Sequence, residues 1–229
     1  MQIKKSLLLL LLSLSFSFAV SAIEVDWELN VEAPVEFDVF KEGGGGIYGG
    51  VHGGANVWFN DYLGVSAGLG LYGSNLCGHS MWVEGKNKNT GNIENLEVSF
   101  GATGMGGGYF LSSLFLGGAI RTFRSDKVVI DLNVGTEFNY LPVLFLAGYG
   151  DIKKRTFHIV QSGLAFDARC SFSVLRSLWL NVGIRQSYDL LNFVNGEIIK
   201  TNNDKIVIHD TVPLMKYRCS PSVGVTFFL

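Results

Sequence analysis

The chain has 229 residues, of which 48% are hydrophobic and only 17% charged, with 18 basic against 20 acidic side chains. That balance excludes a nucleic-acid footprint. The three widely spaced cysteines, Cys77, Cys170 and Cys219, exclude a disulfide framework. Lys4 and Lys5 precede an apolar run from Leu7 to Val20, and Val20-Ser21-Ala22 is a small-residue cleavage site followed by Glu24 and Asp26. This is the pattern of a secretory signal peptide. A retained anchor is the alternative, but the run is shorter than the roughly 18 residues a spanning helix needs. Residues 1–22 are expected to be a signal peptide and 23–229 one exported domain. No cysteine stands at the cleavage site, so a lipoprotein is not expected.

From Glu24 onward apolar and polar residues alternate, and a period of two means strand. Val25, Trp27, Leu29, Val31 and Phe37 alternate with Glu24, Asp26, Glu28, Glu32 and Glu36. This is a first strand if its acidic row finds partners, and an exposed arm if not. Lys41 to Gly46 reads as a Gly-rich loop. Ile47 to Phe59 and Leu63 to Tyr72 are strands about the turn Asn60-Asp61, with Tyr48, His52, Asn56 and Trp58 on the inner face. Ser74 to Asn95 reads as a long polar loop. Leu96 to Tyr109 and Phe115 to Phe123 are strands, and Phe110 to Leu114 is either a turn or a kink between them. After the tight turn Arg124 to Lys127, Asp131, Asn133, Glu137 and Asn139 face in. A loop spans Gly148 to Thr156, followed by a strand with Asp167 and Arg169 inside and Cys170 outside. Leu178 to Arg185 is another strand. Asp189 to Val212 reads as the last long loop, with a small hairpin at Asn195-Gly196. Val223 to Leu229 closes the chain, and Pro221, which cannot donate to a ladder, is expected to make that final strand irregular.

Short turns alternate with long loops, and an exported chain built this way fits an all-β, antiparallel, up-and-down transmembrane barrel, apolar outside and polar inside. A kink at Phe110 to Leu114 gives eight strands, and a turn gives ten. The inward charges are Arg121, Asp131, Glu137, Asp167, Arg169, Arg185 and Arg218. In an eight-stranded barrel the interior is just wide enough for side chains to fill, so these charges are expected to pair in a packed lumen. The alternative is a narrow pore in which the four arginines set a mild anion preference.

An enzyme in the barrel wall is a third reading, but His158 and Ser162 on one strand are roughly 13 Å apart by strand rise. No catalytic site is expected. Cys77-Gly78-His79 lacks a second ligand pair, so no metal is expected. The Gly-rich runs lack the Lys-Ser/Thr of a phosphate loop, so no cofactor is expected. The long loops would lie outside the cell, where loops on a rigid scaffold often bind. Trp82 is the candidate contact for an extracellular ligand or host component, with placement at the membrane interface as its alternative.

The cleavage site, the alternating segments and the terminal run Val223-Gly224-Val225-Thr226-Phe227-Phe228-Leu229 resemble the small outer-membrane barrels of bacteria, such as the OmpA transmembrane domain and OmpW-like proteins. The Gly-aromatic texture is similar to spirochaetal barrels. The resemblance implies an integral outer-membrane protein surrounded by outer-membrane lipids. It also implies a C-terminal strand read by the barrel assembly machinery. Such strands usually end on an aromatic residue, whereas here Leu229 follows Phe228.

Overall fold

The computed structural model describes residues 24–38, 45–101, 109–145 and 152–228. Residues 1–22, expected to be a signal peptide, lie outside the described residues. The described chain consists of strands β1 (Glu24–Glu32), β2 (Val35–Asp38), β3 (Gly45–Trp58), β4 (Leu63–Asn87) and β5 (Ile93–Gly101), then β6 (Tyr109–Arg124), β7 (Val128–Phe145), β8 (Ile152–Ser173), β9 (Leu178–Lys200) and β10 (Lys205–Phe228). All the pairings are antiparallel.

Ten strands make a ring of eight, because two positions in the wall are each shared by two strands. β1 and β2 form one wall strand interrupted at Ala33-Pro34, lying between β10 and β3. β5 and β6 form another, since β4 pairs with β6 up to Ser74 and with β5 from Gly78 onward. Pairing of β1 with β10 closes the ring.

The stretch from Leu96 to Phe123, long for one strand, is thus two strands. Phe110 to Leu114 is neither turn nor kink, and lies inside β6. The acidic segment at the start is a strand and not an arm. Pro221 sits within β10, opposite Ile184, and its carbonyl accepts from the Ala33 N–H at 3.1 Å. The missing donor of Pro221 therefore does not end the strand.

The expected long loops need the largest correction. β4 continues to Asn87, β8 begins at Ile152, β9 continues to Lys200 and β10 begins at Lys205. Asn195-Gly196 lies inside β9 and not at a turn. Among the described residues the turns at these two tips are short: one follows Asn87, with Gly91 at φ 77°, and one lies at 201–204, with Asn203 at φ 65°.

These extra strand lengths stand above the membrane. Trp27, Leu29, Val31, Leu69, Leu71, Phe166, Val182 and Val223 are exposed on the outside of the barrel, as a lipid-facing wall requires. Phe37, Tyr217 and Tyr188 cluster at the upper edge of this band, with ring centroids 6.4 and 5.0 Å apart, and Tyr140 stacks on His158 nearby. From Tyr217 down to Phe227 is about 26 Å along the axis, taking a strand rise of ~3.4 Å and a tilt of ~40°. That matches the height of an outer-membrane apolar band.

Above this girdle the polarity of the strands reverses. On β8, Asp167 and Arg169 face in below it, whereas Phe157 and Ile159 face in above it. On β10, Arg218 faces in below and Ile206 and Ile208 face in above, with His209 exposed. In lipid the outside must be apolar. In water the inside must be, because burial of apolar area is then the driving force. The upper interior is a core of Val83, Leu111, Leu141, Phe157, Ile159, Val194, Ile198, Ile206 and Ile208, bounded by Tyr48 and Tyr72 and packed against Leu96.

Candidate functional site

The lumen below the girdle is filled by three tiers of paired charge. In the lowest, Arg121 donates to Asp131 at 3.0 Å and to Glu24 at 2.9 Å, and also contacts Asp26. Its guanidinium lies 4.0 Å over the Trp58 ring, and the Trp58 indole donates to Asp26 at 2.6 Å. The strand register prearranges this tier, since Arg121 and Asp131 are direct cross-strand partners, where opposite charges attract most.

In the middle tier Arg169 meets Glu28 and Asp167. Arg185 reaches Asp167 at 3.3 Å and Glu32 at 3.6 Å. His52 lies between Glu28, at 3.6 Å, and Arg185, at 3.2 Å. The Tyr72 hydroxyl donates to Glu32 at 2.7 Å. β4 makes room with glycine: a β-carbon at Gly68 would collide with the His52 imidazole of neighbouring β3, and one at Gly70 with the Tyr72 ring of β4 itself.

In the upper tier Arg218 donates to Glu36 at 3.0 Å and Asp189 at 3.1 Å and lies 3.6 Å from Glu137. Lys216 donates to Glu36 at 2.9 Å. All the charged residues expected in the lumen are therefore inside it and buried. Sequence reasoning missed several of their partners: His52 as a polar partner, and Asp189 and Lys216, both placed at or beside an expected loop; the acidic row of β1 and β2 was read as a possible inner row with its partners left open. The one signal for that row was its alternation, Asp26, Glu28, Glu32 and Glu36, facing a chain whose later strands carry inward arginines.

Lumen carboxylates (Asp26, Glu28, Glu32, Glu36, Asp131, Glu137, Asp167 and Asp189) outnumber lumen cations (Arg121, Arg169, Arg185, Lys216 and Arg218). Each of the four arginines lies within 4 Å of two or more of these carboxylates. Each buried pair must offset a desolvation cost of several kcal/mol per ion, which the two or more carboxylates around each arginine make possible.

The second candidate region is the projecting sheet. β10 pairs directly with β4 between Ile206–Ile208 and Gly85–Asn87, bypassing β1, β2 and β3. The two hairpin tips are tied together. The Lys88 N–H donates to the Lys205 carbonyl at 2.8 Å, Asn89 to Asp204 at 2.7 Å and Lys200 to Glu94 at 2.8 Å. The hydrogen bond from Lys200 holds the Glu94 carboxyl below its ordinary range, and the hydrogen bond from Lys205 does the same for Glu197.

Trp82 is 57% exposed. Leu71 pairs with Ser112, and Ser112 with Tyr140 of the girdle. Trp82 therefore stands roughly 20–30 Å beyond that row by strand rise and tilt, too far out for an interfacial tryptophan. On the same outer wall a shallow hollow of about 280 Å³ is lined by Glu84, Gly85, Lys86, Lys88, Ile93, Val207 and His209. His158 receives or gives a hydrogen bond with the Tyr140 hydroxyl at 2.6 Å, which occupies Nδ1 away from Ser162. Among the described residues no group of three or more His, Cys, Asp or Glu is placed to hold a metal ion; the side chains of Cys77 and His79 lie outside the described ones.

No protein-family model matches the sequence, and no curated protein does. Solved structures share the fold. Neisserial surface protein A (NspA) superposes with a TM-score of 0.53 at 10% identity, over 89% of this chain and 96% of that one. OprG from Pseudomonas aeruginosa gives 0.48 at 9% identity over 91% and 96%. A major outer membrane protein from Thermus thermophilus gives 0.47 at 14% identity over 89% and 99%. The chain thus has the fold of the small eight-stranded outer-membrane barrels.

Proposed function

We propose that the chain is an integral outer-membrane barrel with a sealed lumen, exported through its N-terminal signal sequence, that acts at the cell surface through its projecting hairpins. The observation that carries this reading is the burial of large side chains at successive levels of the described interior. Three charged tiers occupy the membrane-spanning part, and an apolar core in which Ile206 and Ile208 have no exposed surface lies above them. A continuous water path, which a porin requires, would have to breach both. The lipid-facing band supports contact with outer-membrane lipids, and the continuous pairing of β10 with β9 from Lys216 to Phe227 suits recognition by the assembly machinery. Trp82, held on a rigid strand well outside the membrane, is the proposed contact for an extracellular ligand or host component.

Single-channel recording of folded, inserted protein in a planar bilayer tests the sealed lumen. A silent bilayer is expected. Discrete, reproducible conductance steps would instead make the protein a narrow porin. For the surface role, cells displaying the Trp82→Ala variant should adhere less to host or matrix components. Equal adhesion would remove Trp82 from the role.

A further inference from the structure

We propose, on the reading that the projecting hairpins carry the function, that the hollow on their outer wall binds a sugar bearing a single negative charge. The hollow, of about 280 Å³, lies where β10 meets β4. Ile93, Lys86 and Val207 form one cross-strand row there. Side chains alternate along a strand, so Lys205 and His209 flank Val207 on the same outer face. Both are drawn sideways onto β9. Lys205 pairs with Glu197 at 2.5 Å, and His209 Nδ1 meets the Asn195 Oδ1 at 2.5 Å. The two long side chains that would cover Val207 are thus held off it. Ile93, 71% exposed, supplies a second apolar surface.

The rim has two chemical ends. Toward the hairpin tips stand Lys86 and Lys88. The other lysines there, Lys200 and Lys205, are paired with Glu94 and Glu197, whereas neither Lys86 nor Lys88 has a carboxylate within 4 Å among the described residues. At the opposite end are Glu84 and His209. An amide oxygen only accepts, so His209 Nδ1 carries the proton and the neutral ring leaves Nε2 as an acceptor, like the Glu84 carboxylate. The Glu84 N–H donates to Asp210 at 2.8 Å, which fixes the backbone at that level. Glu84 and Lys86 are two residues apart on one face, ~7 Å by strand rise. The fitting occupant therefore has an anion at one end, uncharged hydroxyl donors at the other and C–H surface between them, which is an acidic pyranose. The lining carries two lysines against one glutamate, and that excess of one positive charge suits a monoanion. The volume falls just below the ~300–1,000 Å³ of sites for drug-sized ligands, so it holds about one ring.

The hollow stands beyond the covalent reach of residues 39–44, 102–108 and 146–151. Gly45 and Gly101, which bound the first two segments, both pair with Gly78. Glu84 is six residues farther along β4, ~20 Å by strand rise. A segment that must return to the sheet extends at most about half its length, ~12–14 Å for these segments. Residues 146–151 rejoin the sheet at Ile152. Val207 lies in the row of Glu197 and Thr156, two strands across and four residues along from Ile152, which is roughly 16 Å.

The test uses the full-length protein in lipid nanodiscs, with methyl glucuronide as probe and uncharged methyl glucoside as its counterpart, and binding read from shifts of backbone amide resonances. The glucuronide should shift the amides of Glu84, Lys86, Val207 and His209. The glucoside should bind about tenfold more weakly, and Lys86→Met and Lys88→Met should each weaken glucuronide binding about threefold, the order of one exposed ion pair. Val207→Phe, which fills the floor without changing charge, should abolish binding of both sugars. All three positions face outward, and heat-resistant mobility on gels shows that each variant is folded; the lysine variants decide if Val207→Phe is not. Equal binding of the two sugars, or glucuronide binding unchanged in the lysine variants, overturns the inference. So does an absence of shifts at about 10 mM glucuronide, where a millimolar site is mostly filled. A peptide of alternating glutamate and glycine that shifts these amides when the glucuronide does not would make the occupant a polypeptide and also overturn it. If the sugar fails while Trp82→Ala still lowers adhesion, the surface role stands and the hollow does not.

Discussion

Replacing Arg218 by methionine keeps the bulk of the side chain and removes the charge at the hub of the upper tier. Glu36 and Asp189, bound at 3.0 and 3.1 Å, and Glu137 then lose their shared cation, and Lys216, bound to Glu36 at 2.9 Å, is left as the cation beside them. Breaking a buried pair by removing one partner costs about 3–5 kcal/mol, because the remaining charge is left buried and uncompensated. With a urea dependence of ~2–3 kcal/mol per molar, the unfolding midpoint of protein folded in lipid vesicles should fall by about 1–2 M. Arg176→Ala, at an exposed turn, is the control and should change stability by less than about 0.5 kcal/mol. Neutralising the acids as well, with Glu36→Gln and Asp189→Asn in the Arg218→Met background, should recover part of the loss. An Arg218→Met midpoint no different from that of Arg176→Ala would refute the reasoning, since it would mean that the upper tier is hydrated and screened like a surface.

Ile206→Ala, in the upper core, should cost about 2–5 kcal/mol locally. Amide exchange should speed up in β4, β5 and the outer half of β10, while membrane insertion and heat-resistant mobility on gels are kept. Gly68→Val, which drives a side chain into the His52 imidazole, should destabilise the membrane-spanning part by about 1–3 kcal/mol, measured by the same urea titration. The tie between Glu94 and Lys200 has a defined pH dependence. The carboxyl is lowered from its ordinary 4.5, first by the hydrogen bond from Lys200 and then by that from Asn87. A depressed carboxyl contributes stability that is present above its unfolded-state value and lost as pH falls through the folded one. Protection factors at the hairpin tips should therefore hold down to about pH 4.5 and fall below it, and Glu94→Gln should remove the dependence.

The wall of the barrel was legible in the sequence where lipid imposes one rule. Leu63 to Leu71 alternates because one face must be apolar and the other must clear Trp58, His52 and Tyr72. Arg121, Asp131, Asp167, Arg169, Arg185 and Arg218 stand at inward positions of such segments, so they could be named. The projecting part was not legible, because the rule inverts at the girdle. Lys205 to Thr211 also alternates, with Ile206 and Ile208 inside, but its outward residues are Lys205, Val207 and His209. Against an apolar-outside template that segment looks like a loop, and so do Trp82 to Asn87 and Phe193 to Lys200. Asp189 was lost with them, and without it the upper tier lacked one of its acids. The acidic row of β1 and β2 was visible, but its burial depended on arginines 95 to 182 residues away in the chain, contacts that only barrel closure creates.

The reversal of polarity at the girdle is tested most directly by tryptophan depth. Two variants would each keep one tryptophan, Trp27 in the lipid-facing band or Trp82 on the projecting sheet, with the others changed to phenylalanine. In bilayers of lipids brominated along the acyl chains, Trp27 should be strongly quenched and Trp82 untouched, while iodide in the water should quench Trp82. Quenching of Trp82 by the bromolipids as strong as that of Trp27 would place the outer strands in the membrane and contradict the account.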